Sequence, residues 1–383
     1  MFFVSLLRCA LRPHCLPFLT TFGCRNKLDN NVNILNGLGE CPALLASYID
    51  NRRMYVCNGS ARSDYATASR GVPQGSVLAP LLFNLYFSDV TNCFPSRDVI
   101  LYADDTAIIC SSSDLLTTRE LLQANLRNLE KFLSSKMMKL NASKTYYMLF
   151  CAPAALANTT LKSDIGEVKS TYSFKYLGVH LDSDLSFEIH CNHLISKVKS
   201  QCYMLLRYPR KRNWQERRVL FYAHIYPLFL YAIECYMHCS VLLRERLERV
   251  YRKCGKIVLG ESCLSDSSVY AKLETLPLRL LFQLRGATLM FRIVRLNQIR
   301  TFSDYFVSNT ASNRRALDLL LPRLPSERYR KSFRYWGAKL WNSIPGHIRS
   351  ARSVTAFESS YECHLKGKIN CCTSDAYNLY DFI

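Results

Sequence analysis

The 383-residue sequence has no apolar run long enough to cross a membrane, so a membrane-spanning protein is not expected. Its first 28 residues contain no acidic residue and faintly resemble a transit peptide, but Arg8 interrupts the apolar core of a signal peptide. We therefore expect a degenerate or truncated N-terminal segment and no targeting signal. No internal repeat or low-complexity tract is evident, and 49% hydrophobic and 12% aromatic content is enough to bury a core. The length suggests about two or three globular domains.

Paired metal-ligand cysteines are also absent. The 17 cysteines are scattered, and none forms the C-x-x-C spacing that suits zinc. Several lie singly within apolar segments of the sequence, such as Cys110 and Cys151. This pattern indicates buried thiols in a reducing compartment, and the expected location is intracellular, either nucleus or cytoplasm.

Acidic residues are scarce in the second half of the chain. Residues 1–196 contain 18 Lys and Arg against 16 Asp and Glu, whereas residues 197–383 contain 32 against 14. Of the net charge of +20, +18 therefore lies in the second half, and a nucleic acid is the first candidate partner. A solvated basic face that binds nothing in particular is the alternative. A cluster around Tyr208 and Trp214 suits phosphate contacts with occasional base stacking: Arg207, Arg210, Lys211, Arg212, Arg217 and Arg218.

The order of apolar patterns predicts an α+β fold. Residues 44–56 look like a helix end followed by a strand, and residues 71–76 form a Gly- and Pro-marked loop before an apolar stretch. After Asp114, leucines recur at helical spacing and predict a helix with a core-facing stripe: Leu115, Leu122, Leu126, Leu129 and Leu133. Strand patterns return at 146–151 and 174–181. Beyond His190 the pattern is helical and basic, so a mixed unit is followed by a helical one.

Two short apolar runs, 99–103 and 106–110, flank Asp104 and Asp105 and predict a hairpin with both carboxylates at its tip. Adjacent desolvated carboxylates repel each other, and a divalent cation relieves that repulsion. Mg²⁺ prefers a few carboxylate oxygens together with water and phosphate. The alternative is an ordinary solvated Asp-Asp turn.

Four sequence blocks in this order resemble those of the reverse transcriptases of non-LTR retrotransposons. They are Gly71-Val-Pro-Gln-Gly-Ser76 with the following Pro80-Leu-Leu-Phe-Asn84, Tyr102-Ala-Asp-Asp105, Leu140-Asn-Ala-Ser-Lys-Thr145, and Phe174-Lys-Tyr-Leu-Gly-Val179. Weaker similarity continues from Phe333 to Pro345, where we interpret Trp336 and Trp341 as core aromatics and not as base-stacking platforms.

The resemblance implies a right-hand polymerase palm with an antiparallel sheet and packed helices, followed by a mainly helical thumb and C-terminal region. The implied division is a degenerate or truncated segment at 1–43, the palm at 44–168, the primer-grip turn and thumb at 169–265, and a basic helical region at 266–383.

The resemblance also implies roles for individual residues. Asp104 and Asp105 would hold Mg²⁺, and Lys144 would lie near the phosphates. The partners would be an RNA template, a DNA primer and deoxynucleoside triphosphates. The implied nucleotide- and template-binding residues are Gly71, Gln74, Gly75, Ser76 and Tyr102, and the implied primer-grip residues are Tyr176, Leu177 and Gly178. The alternative in each case is an ordinary structural role. Residues 71–76 could be a strand-to-helix loop, Lys144 a surface lysine, and residues 174–179 a core strand.

One departure from the family pattern concerns catalysis. A further aspartate should lie upstream, near residues 22–26, but Phe-Gly-Cys-Arg-Asn there contains no carboxylate. Asp29 is the nearest acidic residue and lacks the pattern. Nucleotide-binding fingers, an endonuclease and a ribonuclease H region are not recognisable either. We therefore expect a truncated or degenerate copy that is inactive by itself. A non-catalytic nucleic-acid-binding remnant and a relic without a stable fold are the alternatives.

Overall fold

The chain folds into helices and small β-sheets, which confirms the α+β class. In the computed structural model the described residues are 3–9, 48, 52–68, 71–94, 99–112, 114–150, 160–164, 166–207, 213–260, 263–308, 318–322 and 332–371. They fall into two compact units. The first unit contains residues 3–8 and the described residues of 48–147 and 160–170; the second contains Cys9, residues 148–150 and the described residues from Thr171 onward.

Before Thr171 the described residues form ten strands. They are β1 (Phe3–Cys9), β2 (Arg52–Met54), β3 (Cys57–Asn58), β4 (Ala61–Arg62), β5 (Ala66–Ala68), β6 (Val99–Tyr102), β7 (Asp105–Cys110), β8 (Tyr146–Phe150), β9 (Thr160–Ser163) and β10 (Gly166–Ser170). Six of them form one sheet in the order β6-β7-β1-β8-β10-β9.

This sheet is mixed, so the expectation of an antiparallel sheet was wrong in that detail. The hairpins β6–β7 and β9–β10 are antiparallel, but β1 runs parallel to β7, and β8 runs parallel to β10. A parallel pair needs a connection of about a dozen residues or more, and both pairs are separated by connections of at least that length.

Two α-helices have described bounds in this part of the chain, α1 (Ala79–Phe87) and α2 (Leu115–Ser135), with 3₁₀ turns at Ser88–Cys93 and Ala142–Lys144. Asp114 begins α2, because its carboxylate accepts a hydrogen bond of 2.8 Å from the Thr117 N–H. The predicted leucine stripe faces the core, since four of its members are almost fully buried: Leu122, Leu126, Leu129 and Leu133.

Strands β2 to β5 form a separate two-stranded ribbon, residues 52–68. β2 pairs with β5 and β3 pairs with β4, both antiparallel. Gly59, with φ of 61°, occupies the first position of the two-residue turn between β3 and β4. Every residue from Arg53 to Thr67 is exposed. The ribbon therefore adds nothing to the core formed by the described residues.

The second unit begins with the hairpin β11 (Ser173–Tyr176) and β12 (Val179–Asp182) and continues as helices. The helices are α3 (Glu188–Arg207), α4 (Trp214–Leu220), a π-helical turn at Phe221–Ile225, α5 (Tyr226–Leu230), α6 (Ile233–Tyr236), α7 (Val241–Leu259), α8 (Asp266–Leu273), α9 (Leu278–Val294), a 3₁₀ turn at Arg300–Tyr305, α10 (Phe333–Ser343), α11 (Gly346–Arg349) and α12 (Val354–Cys371).

Helix α9 contributes more buried residues than any other helix described in the second unit, eleven of its seventeen. Its Gly286 lies close to α10, since a Cβ there would stand 3.0 Å from a methyl carbon of Leu340. Trp336 and Trp341 of α10 are buried, which confirms their assignment as core aromatics. In the part of the chain that the structure describes, no helix has the length and apolar character to span a membrane.

Candidate functional site

The two adjacent aspartates lie at the tip of a hairpin, as the sequence predicts. Tyr102 pairs with Asp105 at the ends of β6 and β7, so Ala103 and Asp104 form a two-residue connection. Ala103 has φ of 51°, in the left-handed region that non-glycine residues seldom adopt. Tyr102 is 55% exposed, and both aspartates are half-buried. The tip therefore presents a tyrosine ring and two carboxylates together.

The electrostatics of the tip favour a bound cation. Burial raises the pKa of Asp105 above its ordinary value, and the charge of Asp104 raises it further. The ammonium group of Lys144, in the 3₁₀ turn before β8, is close enough to lower the pKa of Asp105. A positive charge near this carboxylate is thus stabilising, and a divalent cation would supply more of it than one lysine does.

Strand β1 is the neighbour of β7 on the side away from β6. Phe3 is the residue of β1 that pairs with Asp105, and the seven residues of β1 include neither Asp nor Glu. The segment where an upstream aspartate was expected, 22–26, and Asp29 lie outside the described residues. Among the residues that are described, no group of three or more His, Cys, Asp or Glu could hold a metal ion.

The glycine-marked loop before α1 is built on two left-handed glycines. Gly71 and Gly75 have φ of 78° and 82°, and open space lies where a Cβ would be at either position. Ser76 Oγ accepts a hydrogen bond of 3.2 Å from the N–H of Ala79, the first residue of α1, although Ser76 itself precedes the N-cap position, Leu78. Gln74 is exposed. Backbone and amide groups of this loop can thus be approached closely by a ligand.

The hairpin between β11 and β12 carries the predicted primer-grip residues at its tip. Leu177 and Gly178 have φ of 46° and 84°, so both central residues of the turn are left-handed, the pattern of a type I′ hairpin turn. The side chain of Tyr176 is buried, whereas Leu177 is half-buried and Gly178 is exposed. Backbone groups therefore account for much of the exposed surface of this tip.

Tyr231, just after α5, supports that turn and was not identified from the sequence. Its hydroxyl donates a hydrogen bond of 2.5 Å to the Leu177 carbonyl. A Cβ on Gly178 would lie 3.1 Å from Cε1 of the same ring. A close approach of this kind requires glycine at position 178. Only the three-dimensional fold brings the two segments together, and no local sequence signal marks the contact.

The predicted basic cluster is only partly described. Arg207 is exposed at the end of α3, with its guanidinium 4.6 Å from the centre of the Tyr203 ring. Arg218 forms an ion pair with Glu274, and its neighbour Arg217 is half-buried. Arg210, Lys211 and Arg212 lie outside the described residues. Arg207 is thus the described member of the cluster that is most open to a ligand.

Residues 27–181 match the family described as reverse transcriptase (RNA-dependent DNA polymerase). The chain carries a reverse transcriptase domain. The matched range includes the glycine loop, the carboxylate hairpin, Lys144 and the tip of the β11–β12 hairpin. It ends before the strongly basic second half of the chain.

Curated relatives are enzymes of mobile elements. The chain is 27% identical over 208 residues to the RNA-directed DNA polymerase from mobile element jockey of Drosophila melanogaster, covering 50% of this chain and 22% of the relative. It is 26% identical over 250 residues to the probable RNA-directed DNA polymerase from transposon BS of the same species, covering 59% and 27%. A Pol polyprotein from type-1 retrotransposable element R1 2 of Nasonia vitripennis is 24% identical over 188 residues, covering 47% and 45%.

These similarities show that the reverse transcriptase domain is of the non-LTR retrotransposon kind, as the sequence blocks indicate. The aligned part of the chain spans about a quarter of the length of the jockey and BS polymerases.

Proposed function

We propose that this chain is the palm, thumb and C-terminal region of a non-LTR reverse transcriptase, and that it binds an RNA template annealed to a DNA primer. The palm would comprise residues 44–168, the primer grip and thumb 169–265, and the basic C-terminal region 266–383. The hairpin that holds Asp104 and Asp105 half-buried at one tip carries this proposal, because two adjacent carboxylates, with the pKa of Asp105 raised by burial and by the charge of Asp104, are suited to a cation and phosphate oxygens.

In this proposal Asp104 and Asp105 hold Mg²⁺. When bound, the ion would polarise phosphate oxygens of an incoming deoxynucleoside triphosphate. Lys144 would stabilise negative charge on the departing pyrophosphate. The loop from Gly71 to Ser76, with Gln74, would contact the nucleotide and template beside Tyr102. The turn at Leu177 and Gly178, next to Tyr176, would position the primer end through its backbone groups.

We further propose that the chain by itself sustains little or no DNA synthesis. Two-metal phosphoryl transfer needs carboxylates from two places in the chain, so that both ions bridge the attacking and leaving oxygens. The strand paired with β7 supports this proposal, because its register places Phe3 beside Asp105 and it supplies no carboxylate. A single weakly held ion would leave the primer 3′-hydroxyl unaligned, and such loss of positioning can cost many orders of magnitude in rate.

Primer extension on an RNA template, with Mg²⁺ and all four deoxynucleotides, tests this proposal. We expect no product above that of the Asp104→Asn variant, which is the matched control because the change is isosteric. Robust synthesis that disappears in Asp104→Asn would contradict the proposed impairment. In that case Asp29→Asn would show whether Asp29 supplies the second carboxylate.

A non-catalytic nucleic-acid-binding protein is the second candidate function. The observation that favours it is the charge of +18 in residues 197–383, which does not depend on an intact catalytic site. Tight binding of a primer–template duplex without extension would support this candidate.

A further inference from the structure

The exposed ribbon at residues 52–68 contains a β-bulge. Met54 pairs with Ala66, and the next hydrogen-bonded neighbours are Val56 and Ser63. One residue of the first strand, Tyr55, therefore lies opposite two residues of the second, Asp64 and Tyr65. That count of two against one defines a bulge, and bulges often redirect a side chain.

The bulge brings two tyrosines to the same face of the ribbon. Side chains alternate between faces along a strand, so Tyr55 shares a face with Cys57 and with its partner Arg62. Without the extra residue, Tyr65 would lie opposite Met54 and point to the other face. In the structure the centres of the Tyr55 and Tyr65 rings are only 5.2 Å apart.

Arg62 completes this cluster. Its guanidinium carbon lies 3.6 Å from the centre of the Tyr55 ring and 5.1 Å from that of Tyr65. The guanidinium also donates a hydrogen bond to the Tyr65 hydroxyl. A cation held against two aromatic rings presents a flat, preorganised surface with both positive charge and π-faces.

Large apolar side chains are exposed on both faces of the ribbon, the two tyrosines on one face and Met54 and Val56 on the other. Tyr55 and Tyr65 are 43% and 60% exposed, and Met54 and Val56 are 54% and 71% exposed. An isolated two-stranded hairpin is only marginally stable, and an exposed patch of this kind marks an interaction site. Its charges favour a polyanion, since the ribbon contains three arginines and one aspartate.

We propose that this ribbon binds an unpaired stretch of nucleic acid, whose bases stack on Tyr55 and Tyr65 while Arg62 contacts a phosphate. Exposed aromatic rings beside arginine are the pattern by which proteins hold single strands without sequence preference. At the base of the ribbon Arg52 donates a hydrogen bond to the Gly71 carbonyl, which links the ribbon to the glycine loop. The inference rests on the proposed function, in which that loop contacts the template.

Fluorescence anisotropy of the full chain tests the proposal with three labelled probes: an oligouridine RNA, an oligothymidine DNA, and a duplex, each about 20 nucleotides long. The double variant Tyr55→Ala, Tyr65→Ala should bind both single strands at least about thirtyfold more weakly, because stacking on each of the two rings contributes about fivefold or more. Replacement of both tyrosines by Phe should retain affinity within about twofold, since the rings remain.

The role of Arg62 is tested separately, through the salt dependence of binding. Arg62→Gln should reduce the slope of log affinity against log salt by about one, as expected for one lost phosphate contact. Arg127→Gln is the matched control, because Arg127 is exposed on α2 of the same unit and should leave the slope unchanged. Thermal unfolding of each variant should match that of the wild type, since the altered side chains are exposed.

The outcomes separate this inference from the proposed function. If the wild-type chain binds the probes but the double alanine variant binds them equally well, the ribbon proposal is overturned and the proposed function stands. If the wild-type chain binds none of the probes at low salt, both are overturned. A preference for RNA or for DNA among the single strands would identify the strand that the ribbon contacts.

Discussion

Asp105 lies half-buried beside Asp104, and folding therefore favours its protonated form. Because its pKa in the folded chain is raised above the ordinary value of 3.8, stability falls as the pH rises from that value through the folded pKa. The free-energy penalty of ionising Asp105 in the folded chain is then fully present at neutral pH. Lys144 reduces this penalty but does not abolish it.

The isosteric change Asp105→Asn removes this penalty. We expect it to raise the free energy of unfolding at neutral pH, and the gain should shrink as the pH is lowered toward 3.8. Urea unfolding over a pH series measures the gain in unfolding free energy and its decrease at lower pH. Added Mg²⁺ should stabilise the wild type more than the variant if the carboxylate binds the ion. A variant less stable than the wild type at neutral pH would contradict this electrostatic account.

The carboxylate tip could be predicted from the sequence because its features are local. Two apolar runs around Asp104 and Asp105 specify a hairpin, and Ser76 lies between a glycine loop and the start of a helix. Tyr231 could not be predicted, since its partner Leu177 is 54 residues away. The cluster of Tyr55, Arg62 and Tyr65 likewise depends on a β-bulge, and no residue type in this segment predicts a bulge.

Among the elements, α7 and α8 approach closely at Gly255. A Cβ there would stand 2.5 Å from Val269 Cγ1 and 2.9 Å from Leu273 Cδ1. Glycine normally weakens a helix, so its presence at this position is explained by the packing of the two helices and not by helix propensity.

Gly255→Ala should therefore destabilise the chain by about 1–3 kcal/mol, because overpacking outweighs the gain in helix propensity of about 1 kcal/mol. Gly367→Ala is the matched control. Gly367 lies in α12 with open space where a Cβ would be, so the same change should stabilise the chain by up to about 1 kcal/mol. Urea unfolding of both variants is the measurement. Equal effects of the two changes would contradict the packing argument.

Hairpins and amphipathic helices were the elements that the sequence predicted well, as β6–β7 and the leucine stripe of α2 show. Strand β1 was not predicted. The neighbours of its seven residues in the described sheet, β7 and β8, begin only at Asp105 and Tyr146, so the pairing that makes this segment a strand is long-range. The mixed character of the sheet follows from the same long-range pairing.

For the whole molecule, the uneven charge predicts how binding depends on salt. The affinity of the chain for RNA or DNA should fall about tenfold or more between about 50 and 200 mM salt, because each phosphate contact releases counterions. Arg207→Gln should lower the salt slope by about one, since Arg207 is exposed in the basic half.

Arg119→Gln is the control for this experiment. Arg119 lies in the first unit and donates to the Thr160 carbonyl, so its loss should leave the slope unchanged. Titrations of a labelled primer–template duplex at several salt concentrations give the slopes. An affinity that is insensitive to salt would show that charge does not carry the binding.

The position of β1 inside the sheet has a consequence for synthesis on the ribosome. Phe3 is added about a hundred residues before its partner Asp105, and β8, on the other side of β1, is added later still. At about 5–20 residues per second, β1 waits roughly 5–20 s before it can pair. During that time both edges of an apolar strand are open to other chains. Slow translation before β7 should therefore favour aggregation of the nascent chain. A chaperone that covers β1 should prevent this aggregation.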